Sequence, residues 1–326
     1  MPRPIPRRDA ALALAALLAL PGTAARAQPL EGGGPLRIVV GYAPGGATDR
    51  VARIVGDALA PRLGVPVIVE NKAGAGGRLA AQQVKDAAAG QNVLMLANPA
   101  VMVVAPLVFK DSGYDPERDF QPVAHVNDYE FGLAVGSAVP VKELSHLLAW
   151  LRSNPDKANV GVPATGSLPH FFALMLGEKA QVRTEVIGYK GSAPAIGDLI
   201  GGQLPVAVDT FDVLLPQHEA GKLRVLAMSG AQRSAFAPGV PTFREAGLEL
   251  TALGWNTFFA PAAMPAAKAA RLAQAIHEAM QDPQVRRKFT DARMLPVAAT
   301  QAQTAAMLKA YRAQWAPVVR TSGYQP

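Results

Sequence analysis

A continuous apolar run that passes through a glycine turn straight into an amphipathic helical pattern constrains this chain more than any other feature. The stretch "RIVVGYAPGGATDRVARIVGDAL", from Arg37 to Leu59, does this first. Unbroken apolar runs mark strands buried on both faces, and the helix that follows must cover one of them. The pattern then repeats. Residues 36–40, 65–70 and 92–96 read as strands, with helices over 48–63 and 77–88. After a long extended stretch at 123–135 a second series begins, with strands at 158–162, 182–187, 204–208 and 225–228. Its helices fall at 141–153, 168–178, 193–200 and 213–220. Another extended segment, 253–259, leads to helices at 265–280, 283–292 and 300–319. Such alternation predicts an α/β class with mainly parallel sheets flanked by helices. Two series joined by two extended crossings predict two lobes on a double hinge. One lobe takes 28–126 plus 254–326, and the other takes 127–253. Ligands of open parallel sheets sit beyond the carboxyl ends of the strands, which puts the site in the cleft between the lobes.

The first residues belong to neither lobe. Arg3, Arg7 and Arg8 precede an apolar run at 10–20, followed by Ala25-Arg26-Ala27. A basic region, a short apolar stretch and a small-x-small site make a signal peptide over 1–27, cleaved near Ala27. The apolar run is too short to span a bilayer. Export to the periplasm is expected, and Arg7-Arg8 also suits the twin-arginine route. Cleavage would remove four basic residues and one acidic one, taking the formal charge from +7 to +4. No polybasic run with interleaved aromatics appears, so nucleic acid is excluded as a partner. There is no cysteine, and a core of this size can do without disulfides.

Three strand-to-helix turns carry glycine and a hydroxyl. The first is Gly41-Tyr42-Ala43-Pro44-Gly45-Gly46-Ala47-Thr48-Asp49. The second runs from Val160 through Ala164, Thr165, Gly166 and Ser167 to the helix that holds His170. The third is Gly188-Tyr189-Lys190-Gly191-Ser192-Ala193-Pro194. Free N–H groups at a helix start carry partial positive charge and bind a carboxylate or phosphate without a basic side chain. Thr48 or Asp49, Ser167 and Ser192 are placed to cap their helices. Ordinary tight turns look the same one at a time.

The stretches "YAPGGATDRVARI", "PVIVENKAGAGG", "YDPERDFQPVA", "GSLPH", "YKGSAPAIGDLIGGQ", "AGKLRVLA", "VPTFREAGL" and "DPQVRRKF" follow one another in order over nearly the whole mature chain. In these the chain resembles the Bug receptors (Bordetella uptake gene products), the periplasmic solute-binding proteins of tripartite tricarboxylate transporters. The resemblance implies a two-lobed Venus flytrap that binds a small organic acid, a di- or tricarboxylate or an aromatic carboxylate, through backbone amides, hydroxyls and waters. It implies membrane transporter subunits as partners, no cofactor or metal, and a monomer. Carried onto this sequence, the ligand residues are Tyr42, Ala43, Gly45, Gly46, Ala47 and Thr48, with Asn98 and Ala100 after the third strand. In the other lobe they are Ala164, Thr165, Gly166, Ser167 and His170, then Tyr189, Gly191, Ser192, Ala193 and a strand-end Asp209. Thr210-Phe211 and Phe171-Phe172 depart from the family pattern and tilt the expectation towards a ligand with an apolar body.

Enzyme readings are weaker. Without cysteine there is no thiol nucleophile, and the five histidines lack metal-ligand spacing. A Ser167–His170–Asp209 triad would lack the G-x-S-x-G elbow that presents a nucleophile, which leaves an exported hydrolase behind a binding protein. The motif "ENKAGAGGRLA" imitates a dinucleotide fingerprint, but Leu79 stands at its third glycine position. A ligand sensor for a membrane signalling protein shares every feature of a transport receptor.

Overall fold

The computed structural model describes residues 30–31 and 33–324. The expected signal peptide over 1–27 lies outside the described residues. Strand β1 (Leu36–Val40) pairs in parallel with β2 (Val67–Asn71) on one side and β3 (Val93–Ala97) on the other. That central position explains its apolar run. Its one charged residue, Arg37, is half-buried and reaches across to Glu70 of β2, Nη2 to Oε2 at 2.7 Å. Helix α1 (Ala47–Leu63) covers this sheet with Val51, Val55, Leu59 and Leu63, four buried positions spaced four apart. Burying side chains of this kind contributes about 1.5–3 kcal/mol each. Gly64, at φ 64°, ends the helix and returns its N–H to the Ala60 carbonyl.

Helix α2 (Arg78–Lys85) precedes β3, after which a π turn at Ala100–Val104 runs into α3 (Ala105–Val108). The 16-residue β4 (Phe120–Val135) leads to the second series. That series comprises α4 (Leu144–Ser153), β5 (Asn159–Val162), α5 (Leu168–Ala180), β6 (Glu185–Gly188), α6 (Ser192–Ile200), β7 (Val206–Thr210), α7 (Phe211–Glu219) and β8 (Arg224–Met228). Then β9 (Leu253–Pro261) returns to α8 (Ala266–Gln281), α9 (Pro283–Asp291), β10 (Leu295–Pro296) and α10 (Gln301–Thr321). The strand order is β2-β1-β3-β9-β4-β7-β5-β6, with β8 and β10 also on β4.

The two extended crossings are members of the sheets, not connections outside them. From Phe120 to Glu130, β4 runs antiparallel to β9, and Glu130 faces Leu253. From Phe131 onward its partners are β7 and β8. The strand therefore changes sheets between Glu130 and Phe131, beside the point where β9 begins. Both crossings lie together at one hinge. Gly254 is obligatory there, since a Cβ would lie 2.0 Å from the Tyr129 ring.

Helix α10 packs across this hinge. Its Tyr311 hydroxyl donates to the Leu253 carbonyl at 2.8 Å, and Trp315 stacks on Tyr311 with centroids 5.6 Å apart. Trp255 is buried against the edge of the same tyrosine. Phe171 and Phe172 are core residues, fully buried, with Phe172 between Phe131 and Phe243. They cannot set the polarity of the cleft, so the apolar-ligand expectation loses that ground.

Candidate functional site

The first turn is held by Asp49, not by a capping hydroxyl. Gly45 takes φ 85°, Gly46 is the N-cap of α1 and no side chain caps the helix. Instead the buried Asp49 carboxylate accepts from the Gly45 N–H at 2.9 Å, from Arg53 at 2.9 and 3.0 Å and from Asn71 at 2.9 Å. Burial opposes its ionisation, but these donors outweigh it and keep the carboxyl below the usual range. Thr48 donates to Asn256 Oδ1 at 3.1 Å, and Asn256 donates to Asn127 at 2.8 Å. That chain ties the turn to the hinge strands. Tyr42 donates its hydroxyl to Asn98 Oδ1 at 3.0 Å, and the Ala100 N–H reaches the same oxygen at 3.1 Å. Burial pushes the Tyr42 phenol up to about 12 against the opposing Asn98 hydrogen bond, so it stays a neutral donor.

The second turn does use its hydroxyl. Ser167 is the N-cap of α5 and accepts from the His170 N–H at 3.4 Å. Gly166, at φ 76°, donates its N–H to His170 Nδ1 at 2.9 Å. Burial lowers the His170 pKa, so the ring is neutral with its proton on Nε2. Its face stacks on Phe171, and the Tyr324 ring meets both edge-on at 5.1 and 5.6 Å.

The third turn leans on the second through Gly191 N–H to Pro163 carbonyl at 2.7 Å. Gly191, at φ 113°, is the N-cap of α6, and Ser192 makes no side-chain cap. Of the three hydroxyls read as caps, only Ser167 serves as one. Tyr189 donates to Asp198 of its own following helix at 2.9 Å. Asp209, next to last in β7, is almost fully buried, with Oδ1 accepting from the Thr210 N–H at 2.7 Å. Its Oδ2 has no hydrogen-bond partner among the described residues. Burial pushes this carboxyl up to about 7, with Ser192 and the Thr210 N–H opposing.

Two cavities flank the Tyr42–Asn98 pair. One, of about 330 Å³, is lined by Tyr42 and Ala100 of the first lobe and by Ala164, Thr165, Gly166 and Ser167 of the second. Arg78, Val104, Val108, Phe109 and Tyr324 are also in its wall. No carboxylate lines it. The other, of about 120 Å³, is lined by Ala47, Thr48, Asn98 and the hinge residues, with Asp128, Glu130 and Asp212 among them. Burial pushes Glu130 up to about 7, Ser234 opposing and Asp128 adding to the rise, and burial likewise raises Asp212. Its arginine, Arg293, is already paired with Glu219. The larger cavity is the one of the two with no acidic group in its wall and with a cation, Arg78, so an anion suits it.

The remaining residues expected at the site, Ala43, Gly45, Gly46, His170, Tyr189, Gly191, Ser192, Ala193 and Asp209, line neither cavity. Gly45, Gly46 and Ala43 are exposed on the turn, whereas His170 and Asp209 support the loops from beneath. Arg78, Phe109, Val104, Val108 and Tyr324 went unforeseen. Arg78 lies within the motif weighed only as a nucleotide fingerprint. That glycine cluster takes positive φ, Gly74 at 137°, Gly76 at 65° and Gly77 at 94°, and Gly77 also packs against Gly41, on which a Cβ would sit 2.7 Å from the Gly77 Cα.

Residues 51–324 match the family model of the tripartite tricarboxylate transporter family receptor. The chain is 35% identical over 315 residues to a UPF0065 protein of Bordetella bronchiseptica, covering 95% of this chain and 92% of that protein. It is similar to the structure of R. palustris Rpa4515 with adipate, at TM-score 0.82 and 28% identity, over 90% of this chain and 98% of the other. MatC of Rhodopseudomonas palustris, with bound malate, gives TM-score 0.77 and 31% identity over 87% and 98%. Proteins of this kind are periplasmic solute-binding receptors. The chain belongs to the tripartite tricarboxylate transporter receptor family.

Proposed function

We propose that this chain captures a small organic carboxylate in its larger interlobe cavity and delivers it to the membrane subunits of a tripartite tricarboxylate transporter. The observation that carries this reading is that a single cavity, free of carboxylates, is lined by loop residues of both lobes. Thr165 and Ser167 bring hydroxyls to the wall, while the Tyr42 proton is held by Asn98 and the Ser167 N–H by the Ala164 carbonyl. Malate in MatC and adipate in Rpa4515 support the ligand class. Lobe 28–126 plus 254–326 closes on lobe 127–253 about the paired crossings at Glu130 and Leu253, removing the ligand from water and strengthening its hydrogen bonds. The mature receptor acts as a monomer in the periplasm, its leader removed near Ala27. Among the described residues no helix is long and apolar enough to cross a membrane.

The Ser167–His170–Asp209 triad is not assembled. Ser167 Oγ faces the His170 backbone N–H, and His170 Nδ1 is occupied by Gly166. Asp209 is bonded to Thr210, so the three residues of the imagined triad are not wired to one another. Thermal unfolding with mono-, di- and tricarboxylates tests the proposal, since a ligand of the native state raises its apparent stability by mass action. Stabilisation by at least one carboxylate is expected. Stabilisation by none, or ester turnover lost in Ser167→Ala, would overturn it.

A further inference from the structure

The larger cavity contains one charge, and it is positive. Arg78 opens α2 half-buried, with its guanidinium over the Phe109 ring at 3.3 Å from the centroid. Among the described residues no carboxylate pairs with it, while arginines elsewhere at the cleft are committed: Arg50 to Asp212, Arg53 to Asp49 and Arg293 to Glu219. Stacking on the ring fixes the plane of the guanidinium and leaves its N–H edges available to a ligand. Closing a cavity over a guanidinium with no counter-charge is costly, whereas closing it over an ion pair is not.

The wall beside Arg78 is apolar. Val104, Ala105 and Val108 come from the π turn and α3, and they share the cavity wall with Arg78, Phe109 and the hydroxyl-bearing loops of the other lobe. The one cavity thus combines hydroxyls, methyl groups and a single planar cation.

We infer that Arg78 is a ligand-binding residue that takes the second anionic group of an α,ω-dicarboxylate whose first carboxylate lies at the Tyr42 and Ser167 turns. The spacer between them lies against Val104 and Val108. Phe109 is a positioning residue, holding the guanidinium in the plane from which it can bond a carboxylate with two N–H groups. This rests on the carboxylate site proposed above and adds to it the residue that reads the ligand's second charge.

Calorimetric titration with matched straight-chain monoacids and diacids of four to eight carbons tests the inference. At the best-fitting length the wild-type protein is expected to prefer the diacid by about tenfold or more, the usual worth of a hydrogen-bonded ion pair in a closed site. Arg78→Gln should remove that preference, bringing diacid affinity down to that of the matched monoacid in the same variant. Should Arg78→Gln fail to fold, Arg78→Met keeps the packing on Phe109, loses the charge and is read in the same way. Equal binding of monoacids and diacids by the wild type, or a preference that survives loss of the arginine, overturns the role of Arg78 while the carboxylate site stands. Binding of neither series, with no carboxylate stabilising the protein, removes the site itself.

Discussion

Arg293 and Glu219 face each other across the cleft, with both terminal nitrogens of the guanidinium 2.9 Å from the two carboxylate oxygens. Arg293 follows α9 at φ 56°, and Glu219 is the last residue of α7. Arg50 of α1 reaches Asp212 of α7 in the same direction at 3.3 Å. Two ion pairs therefore join α1 and the residue after α9 to the single helix α7.

Breaking the Arg293–Glu219 pair is expected to loosen closure more than folding. Both partners are over a third exposed, so the pair contributes about 0.5–1 kcal/mol and is weakened by salt. Glu219→Gln should lower ligand affinity about two- to fivefold and enlarge the ligand-bound particle in small-angle X-ray scattering. It should also flatten the dependence of affinity on ionic strength. A variant with wild-type affinity and salt dependence would show that the pair does not bias closure.

The two glycines of the first turn should respond differently to substitution. Gly45 has φ 85°, where an L side chain is strained whatever the space around it. Gly46 sits at φ −72° as an N-cap, and an added Cβ would only touch the Ala43 carbonyl at 3.6 Å. Gly45→Ala is expected to cost about 1 kcal/mol or more, and Gly46→Ala less than about 0.5 kcal/mol, in urea unfolding. Equal losses at both positions would mean that backbone conformation is not what selects glycine here.

Much of this fold is legible because its strands are apolar throughout and its helices carry one buried stripe. The helix read over 48–63 begins one residue earlier in the structure, and the strand at 36–40 matches residue for residue. The π turn and α3 were not legible. In "AVMVVAPLV" nearly every residue is apolar and none gives a periodic polar face, because the segment is covered on several sides. Strand β10 is two residues long and exists only through its pairing with Asn127 and Asp128. The backbone turns of the site were visible from their glycines. Arg78 and Tyr324 were not, since their meeting with the Ser167 turn is purely tertiary. The sequence offers Thr48 or Asp49 as the cap; neither caps α1, and the Asp49 carboxylate instead holds Gly45 and Arg53 while Thr48 donates to Asn256.

Ser167→Ala separates the cap from any chemistry. The hydroxyl accepts from His170 N–H and lies at the head of α5, so its loss should cost about 1 kcal/mol of stability. Chemical denaturation measures this directly. Hydrolysis of chromogenic esters by the wild type should not exceed the buffer rate. A stability loss near zero would show that the long 3.4 Å contact contributes nothing to the turn.

Asp209 should make the protein less stable as pH rises. Its carboxyl is pushed from 3.8 to about 7 by burial, so the native state holds a proton that the unfolded chain has already released between these values. Stability therefore falls as pH rises through that window and levels off above it, because only the unfolded state is free to ionise at no cost. A displacement of this size corresponds to at most about 4 kcal/mol, at 1.36 kcal/mol per pH unit. Glu130, raised to about 7 by burial, acts in the same sense. Asp209→Asn cannot ionise, keeps an oxygen for the Thr210 N–H and places an amide where Oδ2 now lacks a partner. The difference in unfolding free energy between variant and wild type should grow in favour of the variant from pH 4 to pH 8. A constant difference across that range would mean that Asp209 is ionised in the native protein at pH 4 already, with a partner that stabilises its charge.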